Sequence, residues 1–278
     1  MSRGFTVTSS FLFPLVRRSA AQARYVLTGC LCLLCGFQIV IAGQASAIES
    51  AQSFSRMAEL VPAFLQRGLG SRAMLLASFK GTIAFGYFHP VVMVMVSALA
   101  AYLTTEPAHD IEAGLVDLVL ARSVPRHRLV TRSALLAIGV VVAAALAMAI
   151  GTWVGLRLFA SPAFDAPSAP VAARLLMHLA AVACCFGALG LAVATASRRW
   201  TTAFTTVSLT IVVLYLVDFL AIGWLPIRSV VWISPFHYYP ALSILAGDAP
   251  LWRNLVILMS VAAVLTGVAY WQFNRRDL

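Results

Sequence analysis

Six stretches of about 19 or more mostly apolar residues dominate the chain, at 25–43, 82–103, 133–156, 175–196, 203–224 and 254–273. At a rise of about 1.5 Å per residue, each is long enough to cross a hydrocarbon core about 30 Å thick. Lipid offers no partner to a backbone N–H or C=O, so a crossing segment must satisfy these groups internally, as a helix does. The expected fold is an all-α integral membrane protein with six transmembrane helices, forming a single transmembrane domain over 1–278. Composition agrees, since 61% of the residues are hydrophobic, 11% are charged and mean hydropathy is +0.91. The longest segment between spans is about 38 residues, too short for a soluble catalytic domain of its own.

Charge sets the expected topology. The net charge is +10 and Lys80 is the one lysine, while the arginines are scattered at span ends, which argues against a nucleic-acid surface. With the amino terminus in the cytosol, the inside segments (1–24, 104–132, 197–202, 274–278) carry basic residues at roughly twice the density of the outside segments (44–81, 157–174, 225–253). Both termini are therefore expected inside. Trp153, Trp200, Trp224, Trp252 and Trp271 fall near span ends, as an interfacial aromatic belt requires.

Cys30, Cys32, Cys35, Cys184 and Cys185 all lie within spans, so no extracytoplasmic disulfide is expected. Metal binding by the first three would need charge compensation that Leu31, Leu33, Leu34 and Phe37 do not offer. Leu27-Thr28-Gly29-Cys30 has the form of a lipoprotein cleavage box, but its apolar core follows the cysteine. Arg17-Arg18 lacks the surroundings of a twin-arginine signal. Ala45-Ser46-Ala47 has the form of a signal-peptidase site, yet the preceding apolar run is longer than the roughly 7–15 residues of a signal core. It is expected to remain a span.

Several features interrupt the spans. Residues 44–81, with an apolar stripe around Met57, Leu60, Val61, Phe64 and Leu65, are expected to form one or two short helices at the outer interface. His89-Pro90 in the second span predicts a kink. Gly151-Thr152-Trp153-Val154-Gly155 offers a small face for close helix approach, either within one subunit or between two. The proline-rich stretch 161–170 predicts an external turn, and 224–240 has the length of a short hairpin dipping into the outer leaflet. Thr202, Thr206 and Thr210 recur at helical spacing in the fifth span, where their hydroxyls either bond back to the helix or line a path. Asp218, near the outer end of that span, is expected to face protein, water or a partner, and His178 raises the same question.

The insert Glu106-Pro107-Ala108-His109-Asp110-Ile111-Glu112-Ala113-Gly114-Leu115-Val116-Asp117-Leu118-Val119 is acidic, with Ile111, Leu115, Leu118 and Val119 at helical spacing. It reads as an amphipathic surface helix showing charge to the cytosol, closed by Pro125 and the basic residues Arg126, Arg128 and Arg132. An ordinary solvated loop is the other reading. A nucleotide-binding loop needs Gly-Lys-Ser or Gly-Lys-Thr, and Lys80 follows Phe79 and precedes Gly81, so the chain has no such loop of its own. The sequence also has no hydrolytic triad, no His-Glu-x-x-His helix and no clustered pair of intramembrane carboxylates.

Glu106 and the run Glu112-Ala113-Gly114-Leu115-Val116-Asp117-Leu118-Val119-Leu120-Ala121-Arg122-Ser123-Val124-Pro125-Arg126-His127-Arg128, together with Ser234-Pro235-Phe236-His237-Tyr238-Tyr239 and the ending Phe273-Asn274-Arg275-Arg276-Asp277-Leu278, resemble the permease subunits of type-2 ATP-binding-cassette exporters. The resemblance implies a multi-pass subunit of the bacterial cytoplasmic membrane that pairs with a second copy or a related permease. It implies no cofactor in this chain, with ATP and Mg2+ held by a separate cytosolic ATP-binding subunit. Glu106, Asp110, Glu112, Asp117, Arg122, Arg126 and Arg128 would couple to that subunit, and Thr202, Thr206, Thr210 and Asp218 would contribute to a translocation path. A secondary transporter and a non-transporting membrane anchor or assembly factor are the alternative classes.

Overall fold

The computed structural model of the protein describes residues 12–54, 73–114, 127–248 and 252–275. Every regular element among them is helical: α1 (Leu12–Ser50), α2 (Phe79–Phe88), α3 (Pro90–Thr104), α4 (Glu106–Glu112), α5 (His127–Phe159), α6 (Ala169–Ala196), α7 (Trp200–Ala221), α8 (Ala241–Ala246) and α9 (Trp252–Arg275). A single turn at Ala73–Leu76 precedes α2, and three 3-10 turns (Leu225–Ser229, Val231–Ile233, Pro235–Tyr238) precede α8. Six helical segments are long and apolar enough to cross a membrane, α2 and α3 together making one of them. The apolar stripe Met57, Leu60, Val61, Phe64 and Leu65 lies outside the described residues.

The bundle is centred on α6. In its most apolar window 72% of residues are buried, against 17% in α1, 17% in α7 and 28% in α9. Lipid is as apolar as a leucine side chain, so helices in a membrane associate through close packing, and small residues permit it. α6 is rich in them. A Cβ added at Gly190 would strike the Thr104 hydroxyl and crowd Ala101, while one at Gly187 would touch Ala100. α3 and α6 thus meet almost backbone to backbone.

α5 packs on α1 by the same device. An added Cβ would run into the Cys35 carbonyl at Gly151 and into Ala42 and Ile39 at Gly155. The small-residue face of the third span is therefore occupied within the subunit, which settles the choice left open by the sequence. Cys30, Cys32 and Cys35 are free thiols along α1, Cys32 exposed and the other two half-buried.

α1 is 39 residues long, spanning about 58 Å at 1.5 Å per residue, well beyond one hydrocarbon core. It passes unbroken through Ala45-Ser46-Ala47, where Ala45 is buried and the Ser46 hydroxyl donates to the Ala42 carbonyl at 2.8 Å. Towards its carboxyl end Ala42 and Ala45 pack against Phe79 and Ile83 of α2, and Phe164 of the proline-rich turn covers Phe79 with ring centroids 5.1 Å apart.

The second span is broken rather than kinked. His89 is extended (φ −58°, ψ 135°) between α2 and α3, and its Nδ1 accepts from the Val91 N–H at 3.3 Å. The residue before a proline is pushed out of helical geometry, and proline itself is suited to a helix start, so His89-Pro90 ends one helix and begins another. The hairpin at 225–246 does not cross. It folds back on the end of the bundle formed by the last turns of α7 and the first turns of α6, with Phe236 buried against Phe186 of α6 at 5.1 Å.

Because Gly151 and Gly155 are filled by α1 backbone, Gly155→Leu is expected to destabilise the protein by about 1–3 kcal/mol or more through overpacking. Gly139, with open space where its Cβ would stand, is expected to accept Gly139→Ala without loss. Unfolding of both variants in detergent checks the contrast.

Candidate functional site

The insert lies at the end of the bundle formed by the last turn of α3 and the starts of α5 and α7. α3 stops at Thr104, whose hydroxyl bonds the Ala100 and Ala101 carbonyls at 3.0 Å, and the Thr105 hydroxyl bonds the Tyr102 carbonyl at 3.0 Å. These side chains close off α3, and Pro107 in the first turn of α4 restarts the helix. α4 then runs only seven residues, because Gly114 adopts a left-handed conformation (φ +66°) just beyond it. The periodicity through Leu115, Leu118 and Val119 predicted a longer helix; those residues, with Asp117, Arg122 and Arg126, lie outside the described residues.

Two of the acidic residues face inward, contrary to the reading of the insert as a helix with all its charge toward the cytosol. Asp110 is 9% exposed and accepts from the Arg132 guanidinium of α5 at 2.7 Å. Glu106 lies 3.4 Å from the same guanidinium, and its carboxylate faces Ser19 of α1 across a small cavity. The reason is steric as much as electrostatic. Ala108 is fully buried against Ala194 of α6 and Ala203 of α7, and Ile111 packs beside Leu129 and Phe273, which rolls the 106–110 edge of α4 onto α5. An ionised pair in this low-dielectric setting holds only while both members are present.

Glu112 is exposed and does a different task. Its carboxylate accepts from the backbone N–H of Trp200 at 2.9 Å. Trp200 opens α7, and the residue before it, Arg199, provides no side-chain cap. The unpaired N–H groups at a helix start carry partial positive charge, so a carboxylate there is favoured twice over, by hydrogen bond and by dipole. The Trp200 ring stacks on Phe204 (5.4 Å, 4° between planes) and meets Tyr102 and His109 edge-on at 6.2 and 6.4 Å. The insert is thus tied to α5 by Asp110 and to α7 by Glu112, with Glu106 facing α1. A cavity of about 230 Å³ opens beside it, among Ser19, Gln22, Tyr102, His109 and Trp200. Arg128, in the first turn of α5, is half-buried.

The threonines of α7 do not share a face with Asp218. Ala203, Val207 and Ile211 turn into the bundle, while Thr202 and Thr206 are exposed and Thr210 is half-buried. The Thr210 hydroxyl bonds back to the Thr206 carbonyl at 2.8 Å. At 100° per residue Asp218 falls near the Val207 and Ile211 direction, and it borders a separate cavity at the end of the bundle away from the insert.

Sequence reasoning missed a polar cluster inside the bundle. The Tyr87 hydroxyl of α2 donates to Thr152 of α5 at 2.8 Å, Thr152 donates to the Gln38 side chain of α1 at 3.4 Å, and the Tyr239 hydroxyl reaches the Tyr87 carbonyl at 3.4 Å. Gly86 makes room, since a Cβ there would strike the Gln38 amide. His178 stacks on Tyr239 at 6.2 Å and its Nδ1 lies 2.9 Å from the Arg174 carbonyl. A lone glutamine in an apolar span was the available signal. Trp200 and Arg132 were noticed only as a belt residue and a basic residue, because their partners are 88 and 22 positions away.

Glu112→Ala removes the side chain that bonds the Trp200 amide, a loss of the order of 0.5–2 kcal/mol for a cap. Amide exchange in the first turn of α7 is expected to quicken by roughly threefold to thirtyfold, with the outer half of α7 unchanged. Equal protection in wild type and variant would show that the contact carries no weight.

The sequence model of the family described as "Multidrug efflux system permease Rv1217c, C-terminal domain" matches residues 19–274. A search of curated proteins returned no match. The match runs from within α1 to the last turn of α9, and six apolar helices account for it along its length. The chain belongs to this multidrug efflux permease family.

Proposed function

We propose that this permease is the membrane half of a type-2 ATP-binding-cassette exporter. It would work as a pair of copies in a bacterial cytoplasmic membrane, with both termini in the cytosol and ATP and Mg2+ bound on a separate cytosolic subunit. One observation carries the reading: the insert is tied at once to α5 and α7. A force applied to α4 from the cytosol would reach both spans without passing through a flexible loop.

In this mechanism the acidic residues divide their roles. Glu106 and Asp110 fasten the lever to the bundle, while the exposed Glu112, with Asp117, Arg122, Arg126 and Arg128, meets the ATP-binding subunit. Approach of two such subunits on binding ATP would push α4, and the Glu112 contact would pass the displacement to the start of α7. Only 17% of the α7 window is buried within one subunit. Its outward face carries Thr202 and Thr206 toward the cytosol and Val213, Leu216 and Leu220 toward the other end. This supports α7 as the wall that faces the second copy, with Thr202, Thr206 and Thr210 along the path.

In proteoliposomes holding this chain with its ATP-binding partner, export is expected to require ATP and to persist when the proton gradient is collapsed. Replacing Glu112 and Asp117 together by lysine is expected to lower export roughly tenfold while the partner stays bound. Export driven by an ion gradient without ATP would assign the chain to secondary transport. Failure to hold any ATP-binding protein would leave it a membrane anchor.

A further inference from the structure

At the end of the bundle away from the insert, a cavity of about 730 Å³ opens between α2, the start of α3, the last turns of α7 and the hairpin. That volume falls in the range of small-molecule sites. The break at His89-Pro90 creates part of it, because an unbroken helix would carry Pro90 and Met93 elsewhere than in its wall. The walls are aromatic, with Phe85 and Phe88 from α2, Tyr215 and Phe219 from α7, and Phe236 and Tyr239 from the hairpin.

Two charged side chains border this space, and they differ in how they are engaged. The Arg228 Nε and Nη2 donate to the Ala221 and Ile222 carbonyls at 3.0 and 3.2 Å, so its charge rests on the negative end of the α7 dipole. Asp218 has neither a hydrogen bond nor an ion pair among the described residues. A carboxylate within a span, largely withdrawn from water and without a partner, is costly unless a cation or water completes it. Aromatic faces add a preference for organic over hydrated inorganic cations, since a ring attracts a diffuse positive charge that sheds its water readily.

We propose that this cavity binds lipophilic organic cations, with Asp218 as the counter-charge and the aromatic walls as the apolar cradle. Its place as a station on an export path rests on the exporter reading above; the binding itself does not. His237 also borders the cavity, and it is exposed, so it meets water at the rim.

The test uses the full chain in nanodiscs, without nucleotide or partner, and two probes of like shape and opposite charge, tetraphenylphosphonium and tetraphenylborate. Uptake by empty nanodiscs is subtracted. Saturable binding of tetraphenylphosphonium is expected, weakened roughly tenfold or more by Asp218→Asn and kept within about threefold by Asp218→Glu. Leu242→Trp, which fills the cavity from the hairpin side, is expected to weaken it as well, and Phe219→Ala serves where Asp218→Asn fails to fold. Tetraphenylborate is expected to bind Asp218→Asn at least as well as wild type. No saturable tetraphenylphosphonium binding, equal binding by wild type and Asp218→Asn, or a preference of the wild type for tetraphenylborate would each overturn the proposal. None of these results bears on whether export needs ATP, and loss of ATP-driven export with binding intact would count against the exporter reading alone.

Discussion

A charge withdrawn from water must be met by an opposite charge or by several hydrogen bonds, and the end of this bundle that holds the insert is arranged around one such requirement. Arg132 enters the protein near the start of α5 and is 4% exposed. Asp110 and Glu106 come to it from the insert, and Ser19 faces Glu106 from α1. Without Arg132, α4 would present two carboxylates to a packed interior. With it, α4 is held as a side wall of the bundle. The placement of Glu112 follows, since it sits one and a half turns beyond Glu106 on the same short helix and reaches the start of α7 only when the Asp110 edge is seated.

The opposite end follows a different rule. Small residues let α1 and α5, and α3 and α6, approach until backbones touch, which leaves those pairs little freedom to slide. α2, the hairpin and the last turns of α7 do not pack in that way. They are held by aromatic contacts and by the cluster of Tyr87, Thr152, Gln38 and Tyr239, with a cavity between them. Four closely packed helices thus carry the short helix α4 at one end and an aromatic-lined cavity at the other, and α7 runs between the two.

The six spans were legible because an apolar run of membrane length has few other outcomes. Their ends were less so, as α1 shows: Gln44, Ser46 and Ser50 look like the end of a span, yet Ser46 and Ser50 bond back to the carbonyls of Ala42 and Ser46 and let the helix continue. His89-Pro90 signalled a disturbance, and the strength of the pre-proline restriction made it a break. In the insert, the acidic residues were read as solvated because nothing local distinguishes a carboxylate in water from one facing an arginine 22 positions away. Thr202 and Thr206 are exposed on α7, and Asp218, eight residues beyond Thr210, lies about 80° from Thr210 around the helix, a separation that helical spacing alone implies. The Glu112 contact with Trp200 has no sequence signal at all, being a product of how α4 is seated.

If Arg132 and Asp110 act as one unit in seating α4, a double-mutant cycle in detergent-solubilised protein measures their coupling directly. Arg132→Met and Asp110→Asn are each expected to cost about 3–5 kcal/mol, since each leaves the other side unbalanced. The double variant is expected to cost less than the sum by at least about 1 kcal/mol. Additive losses, or single variants as stable as the wild type, would mean that the insert is not held by this pair, and the lever would lose its mounting.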